Sequence, residues 1–330
     1  MNTTSLFPDE YERPAQQVQL ANRTWNGQPV VEIAGTLEKL YPRVPFFSRQ
    51  PFQARETSNQ YLDVIVREPE ALAEDAMPVA TVSKSYRLIQ HRDILSAVHR
   101  ALALEGLSIA RVQSQLLLSE YGERMQWSCD LPGFDFDPGD GYPVVLRINC
   151  LNSVDTSTVM EIRLTWCRLV CQNGMMYRFR ESKLRRRHIS SLNPEEIARY
   201  LDEELDHLTE EQSLYRKWYK TPVHSPELER WVDGAVAEGW GPHAAARAWS
   251  ILHSGRDGEV ESFTPRQPPH TISLRNTHPV PGASAPVQNL FHASQALSWL
   301  AGRRTALQEH LEYIMEIPGL MDALSPGAVK

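Results

Sequence analysis

At 330 residues, with 42% hydrophobic and 23% charged side chains, the chain has the composition of an ordinary folded protein and not of a disordered or fibrous one. A net charge of −7 excludes a polycation that binds DNA or an anionic membrane by bulk charge alone. Its longest apolar runs, such as Leu116-Leu117-Leu118, fall far short of the about 20 residues a membrane-spanning helix needs.

The N-terminal segment Met1–Glu10 lacks the basic start and apolar core of an export signal, so the expected compartment is the cytoplasm, with the four cysteines reduced. Residues 1–60 are Pro-rich and weakly periodic apart from Val30–Ile33, and read as an extended or partly disordered arm. An α+β core is expected over 61–220. It opens with a short strand at Tyr61–Arg67 and a helix from His91 to Glu105, where Ile94, Val98, Ala101 and Leu104 recur at helical spacing before Gly106.

The period then changes to two. Residues 109–118 and 124–130 read as a strand pair around Tyr121-Gly122-Glu123, the second with Met125, Trp127 and Cys129 inward and one wet face. A further pair follows Pro138–Gly141: Leu146, Ile148 and Cys150 share one face going out, and Met160, Ile162, Leu164 and Trp166 share one coming back. The expected fold is therefore α+β, a four-stranded antiparallel meander flanked by helices. Asn193-Pro194-Glu195-Glu196 starts a second helix running roughly to Trp218, with a capping residue, Pro at the first position and acids at the positive end. Residues 221–330 read as a helical C-terminal region, with helices at His243–His253 and roughly Val287–Ile317 and a long loop at 255–286.

The densest chemistry lies just past the strands. Arg178, Arg180, Lys183, Arg185, Arg186 and Arg187 fall within eleven residues, with Tyr177, Phe179 and His188 among them. Guanidinium groups grip phosphates in a two-pronged fork, and an interleaved aromatic can stack on an unpaired base. Yet residues 195–211 follow with eight acids against one Arg, enough to answer the charge internally. Three readings stay open: nucleic acid, with single-stranded DNA foremost; an internal salt-bridge surface; another anionic partner. The turn carrying Asn152, Ser153, Asp155, Thr156 and Ser157 could gather a cation or phosphate, but these are also the residues any tight turn prefers.

Of other chemistry there is little sign. Cys129, Cys150, Cys167 and Cys171 contain no C-x-x-C pair, so no metal site is expected. The phosphate-loop, dinucleotide, nucleophile-elbow and zinc-protease motifs are absent, and no cofactor or membrane partner is expected. An enzyme would have to assemble its site from scattered residues such as Asp155, Asn173 and His188; a protein-interaction factor would use the acidic helix instead.

The string L-R-I-N-C-L-N-S-V-D-T-S-T at 146–158, then C-R-L-V-C-Q-N at 167–173 and R-R-R-H at 185–188, resembles the phage/plasmid-like family grouped as domain of unknown function 932. The matching positions are Asn152, Ser153, Asp155, Ser157, Arg168, Cys171 and Asn173, and Asn289 heads a segment similar to the family's C-terminal helix. Tyr86–Gly106 looks like the family's opening, and the resemblance reaches Leu324. Thr156 stands where the family usually has Gly, Gly174 where Thr is common, and 255–286 looks expanded, which marks a divergent member. The resemblance implies a mobile-element setting without an established activity. A loose likeness to single-strand annealing proteins further implies a homo-oligomer with DNA along a basic groove.

Overall fold

A computed structural model describes residues 18–69, 75–168, 183–188, 194–264 and 266–325. The chain divides into two units that interleave in sequence: Met1–Phe134, Leu146–Leu164 and Ser182–Asp206 form the first, and Asp135–Val145, Thr165–Glu181 and His207–Lys330 the second.

The described part of the first unit opens, within the stretch expected as an arm, on a β-hairpin. β1 (Val18–Trp25) pairs with β2 (Gln28–Thr36) across Asn26-Gly27, both at positive φ (49° and 77°), the conformation a two-residue hairpin loop demands. β2 then pairs along its length with β6 (Gln113–Ser119), and β6 with β7 (Arg124–Phe136). β8 (Val144–Ser153), β9 (Met160–Arg168) and β10 (Leu184–Arg186) complete the order β1-β2-β6-β7-β8-β9-β10. The principal sheet thus has seven strands, not the four of the expected meander. The reason is edge protection: β2 covers the open hydrogen-bonding edge of β6, and β10 covers that of β9.

The expected wet face is also corrected. Gln126 and Ser128 of β7 are buried with their apolar neighbours, and every residue of β9 is buried. These strands are covered on both faces, so their polar residues must find partners inside the protein. α2 (His91–Leu104) buries Ile94, Leu95, Val98, Ala101 and Leu102, whereas Leu104 points outward and is 67% exposed. Gly106 ends it at φ 75°, with Leu107 N–H bonded to the Leu102 carbonyl at 2.8 Å. α2 packs against α3 (Pro194–Leu205). A separate three-stranded sheet, β3 (Phe47–Ala54), β4 (Thr57–Arg67) and β5 (Met77–Ser83), packs Phe47, Ile65 and Val82 onto Val154.

In the second unit, the long helix expected from 193 is broken after Leu205, and α4 (Leu208–Lys220) follows. α5 (Ser225–Trp231) leads through a π-turn at Val232–Val236 into α6 (Ala237–Ser254), kinked where Gly241 (φ 84°) precedes Pro242. The stretch expected as a loop holds a hairpin, β11 (Arg256–Val260) with β12 (Leu274–Pro279). The single C-terminal helix expected is two, α7 (Leu290–Gly302) and α8 (Leu307–Leu324). Trp166, Tyr215, Trp218 and Phe291 are buried here, and Trp166 donates its indole N–H to Glu211 at 2.9 Å.

Candidate nucleic-acid interface

Tyr177, Arg178, Phe179 and Arg180 lie outside the described residues, as do Cys171 and Asn173. The rest of the basic run lies on and beside β10, the last strand in the sheet order. Its register sets Leu184 opposite Ile162, Arg185 opposite Glu161 and Arg186 opposite Met160. Alternation along the strand therefore buries Leu184 and leaves Arg185 exposed; Arg187 is exposed as well, while Lys183 and Arg186 are half-buried.

The acids answer this charge only in part. Arg186 forms an ion pair with Glu196 in the first turn of α3, its Nε lying 3.2 Å from Oε2. Arg185 reaches Glu161 at 3.3 Å, but Glu161 is also the partner of Arg163, and the Arg185 side chain stays 55% exposed. A pair that exposed contributes about 0–1 kcal/mol and leaves the guanidinium available. Of the helical acids, Glu204 and Glu211 turn inward, whereas Asp202, Glu203, Asp206 and Glu210 face outward.

His188 does not share the exposure of its neighbours. It is 6% exposed and stacks on Tyr86 with centroids 5.1 Å apart, its Nδ1 lying 3.0 Å from the Tyr86 hydroxyl. Burial pushes its pKa down, against the pull of Asp155 and a backbone hydrogen bond, which favours the neutral ring. The His188 carbonyl accepts the Arg87 N–H at 2.7 Å, which brings the exposed Arg87 beside the end of the basic run. A single arginine on a loop, a hundred residues earlier, carries no signal in sequence.

The polar turn satisfies itself. Ser153 Oγ donates to the Thr158 carbonyl and accepts the Thr158 N–H, both at 3.0 Å. Asp155 accepts the Ser157 N–H at 3.0 Å and pairs with Arg124 at 2.7 Å. Burial pushes the Asp155 pKa up, but its hydrogen bonds with Ser157 and Arg124 outweigh this and hold it below the usual value. Thr156 sits at φ 66°, a left-handed position that favours the Gly of the family motif. Asn152, fully buried, gives one amide hydrogen to the Ile89 carbonyl (3.2 Å) and one to His91 Nδ1 (2.9 Å); His91 Nε2–H then donates to the Gly122 carbonyl at 2.9 Å. These bonds tie the turn to the start of α2 and make it structural.

The remaining motif residues serve the second unit. Arg168, 1% exposed on its side chain, pairs with Asp140 and lies over the Tyr142 and Phe291 rings at 5.2 and 5.5 Å. Asn289 caps α7 by accepting the His292 N–H at 2.9 Å. Of the residues named for an enzyme, Asp155 is paired with Arg124 and His188 lies against Tyr86, while Asn173 is outside the described residues. Cys129, Cys150 and Cys167 are buried and in no disulfide, and burial pushes the Cys129 thiol up to about 12, which keeps it protonated. Among the described residues no group of three His, Cys, Asp or Glu side chains could hold a metal ion, and no helix is long and apolar enough to cross a membrane.

Fold and site together define an α+β protein whose seven-stranded sheet ends in a short arginine-bearing strand. The family model described as Domain of unknown function (DUF932) matches residues 78–256, more than half of the chain, and the chain belongs to that family. No curated protein and no solved structure matches it.

Proposed function

We propose that this chain binds nucleic acid, single-stranded DNA foremost, in the setting of a phage or plasmid. The observation that carries the reading is the exposure of Arg185 and Arg187 beside Arg87, while the acidic helix engages only Arg186 of the three consecutive arginines. Arg185 stands on the hydrogen-bonded strand, Arg187 just past its end, and each exposed guanidinium group can fork onto a phosphate. The outward acids of α3, Asp202 and Glu203, repel phosphate and discourage contact along that helix.

Binding of a labelled oligothymidylate at low salt tests the reading. The Arg185→Ala/Arg187→Ala variant is expected to lose on the order of tenfold in affinity, a change of about 1.4 kcal/mol. Both side chains are exposed, so the variant keeps its fold and a loss reports the interface. Wild type binding no tighter than this variant would overturn the reading.

A further inference from the structure

β4 contains an irregularity that β3 does not match. Pro51 pairs with Asp63 and Gln53 with Ser58, so a two-residue step on β3 faces a five-residue step on β4. The surplus is taken up around Asn59–Leu62, and it is closely held. Asn59 Oδ1 accepts the N–H groups of Tyr61 and Leu62 at 2.8 and 3.0 Å, and the Tyr61 carbonyl accepts the Lys84 N–H at 2.9 Å. With its backbone fixed from both sides, Tyr61 is 76% exposed, the highest value among the exposed large hydrophobic residues described. Bulges re-aim side chains, and a tyrosine aimed into water gains nothing for folding.

What lies next to it gives the ring a use. Lys84 is exposed, and three residues on comes Arg87, at most about 11 Å further along the chain. The Arg87 N–H is bonded to His188, whose chain neighbour is Arg187, followed two residues back by Arg185. Tyr61, Lys84, Arg87, Arg187 and Arg185 thus follow one backbone track, each joined to the next by a backbone hydrogen bond or a few residues of chain. Asp63 is the acid beside the tyrosine end, and it is shared by Lys84 and Arg49. A row of cations ending in an exposed ring complements a polyanion that also has flat faces to offer. Duplex DNA keeps its base faces stacked inside; a single strand does not.

We infer that Tyr61 is a base-stacking contact for a single strand whose phosphates lie along Arg87, Arg187 and Arg185. The inference rests on the nucleic-acid reading and narrows it to unpaired strands. Its test compares three probes of equal length, an oligothymidylate, an abasic deoxyribose-phosphate strand and a duplex, on wild type, Tyr61→Ala, Tyr61→Phe and Arg185→Ala/Arg187→Ala. Wild type should prefer the oligothymidylate to the abasic strand roughly tenfold. Tyr61→Ala should erase that preference and leave abasic binding unchanged, and Tyr61→Phe should keep it. If Tyr61→Ala binds oligothymidylate like wild type while the arginine variant is weakened, stacking fails and the nucleic-acid reading stands. A wild-type protein that binds none of the three probes removes both.

Discussion

His91 shows what a single side chain in this fold depends on. It opens α2 with no exposed surface, meets Phe47 edge-on at 5.6 Å, and lies between Asn152 and the Gly122 carbonyl, with His188 and Asp155 the nearby titratable groups. Burial, first among the causes, lowers its pKa to about 4 from 6.5, so the folded protein holds it neutral. As pH falls below 6.5 the unfolded chain takes up this proton before the folded one, and stability drops until about pH 4, below which the loss is complete. By pH 5 this one group should cost about 2 kcal/mol, and His188, shifted the same way, adds to it. The urea midpoint of wild type should therefore fall between pH 7 and pH 5 by more than that of His91→Gln, which keeps an amide donor for Gly122 but does not titrate. Equal falls would mean that His91 is not the titrating group. Sequence showed Asn152, Ser153 and Asp155 as turn residues, and so they are. It could not show that Asn152 closes on a histidine 61 residues away, because that partner is set by how the turn meets α2.

Elements were legible in proportion to how regularly they bury one face. α2 and β6 to β9 carry strong periods and were readable, though with one face too many left wet, since a covering layer leaves no mark on the strand it covers. β1 was missed and β2 was visible only at Val30–Ile33, because little besides Asn26-Gly27 announces the hairpin. β11 and β12 were missed because a hairpin this exposed needs no apolar alternation. What holds that hairpin is one buried carboxylate. Asp257, 1% exposed, accepts two bonds from Arg247 of α6 at 2.8 and 2.6 Å, one from the Trp299 indole of α7 at 2.8 Å and one from the Gly258 N–H at 2.8 Å. Asp257→Ala would strand the Trp299 donor and half-bury an unpaired guanidinium, at a cost of about 3 kcal/mol. Asp257→Asn, which keeps one acceptor for the indole, should lose less. Denaturant midpoints of the two variants check this, and an alanine variant within about 0.5 kcal/mol of wild type would show that the hairpin is anchored by something else.

For the whole molecule, the average charge conceals the candidate site: a chain at −7 nonetheless keeps Lys84, Arg87, Arg185 and Arg187 exposed along one track. Composition alone could not have placed the first two beside the others, because the hydrogen bond from Arg87 to His188 joins segments a hundred residues apart. The small number of cations sets a limit that a bulk polycation would not obey. Each phosphate contact on a single strand contributes about −0.7 to the slope of log affinity against log salt, so contacts at Arg87, Arg185 and Arg187 give a slope of about −2. Removing Arg185 and Arg187 together should flatten it by about 1.4. Oligothymidylate affinities measured from about 50 to 200 mM salt would resolve that change, since a slope of about −2 spans roughly sixteenfold over the range. A slope that the double variant leaves untouched would place the phosphates elsewhere on the protein. A slope near zero with binding intact would mean that the track takes up a strand by its bases and not its backbone, which the exposed Tyr61 alone could not sustain, and would turn attention to the outward acids of α3 as a surface for a basic partner.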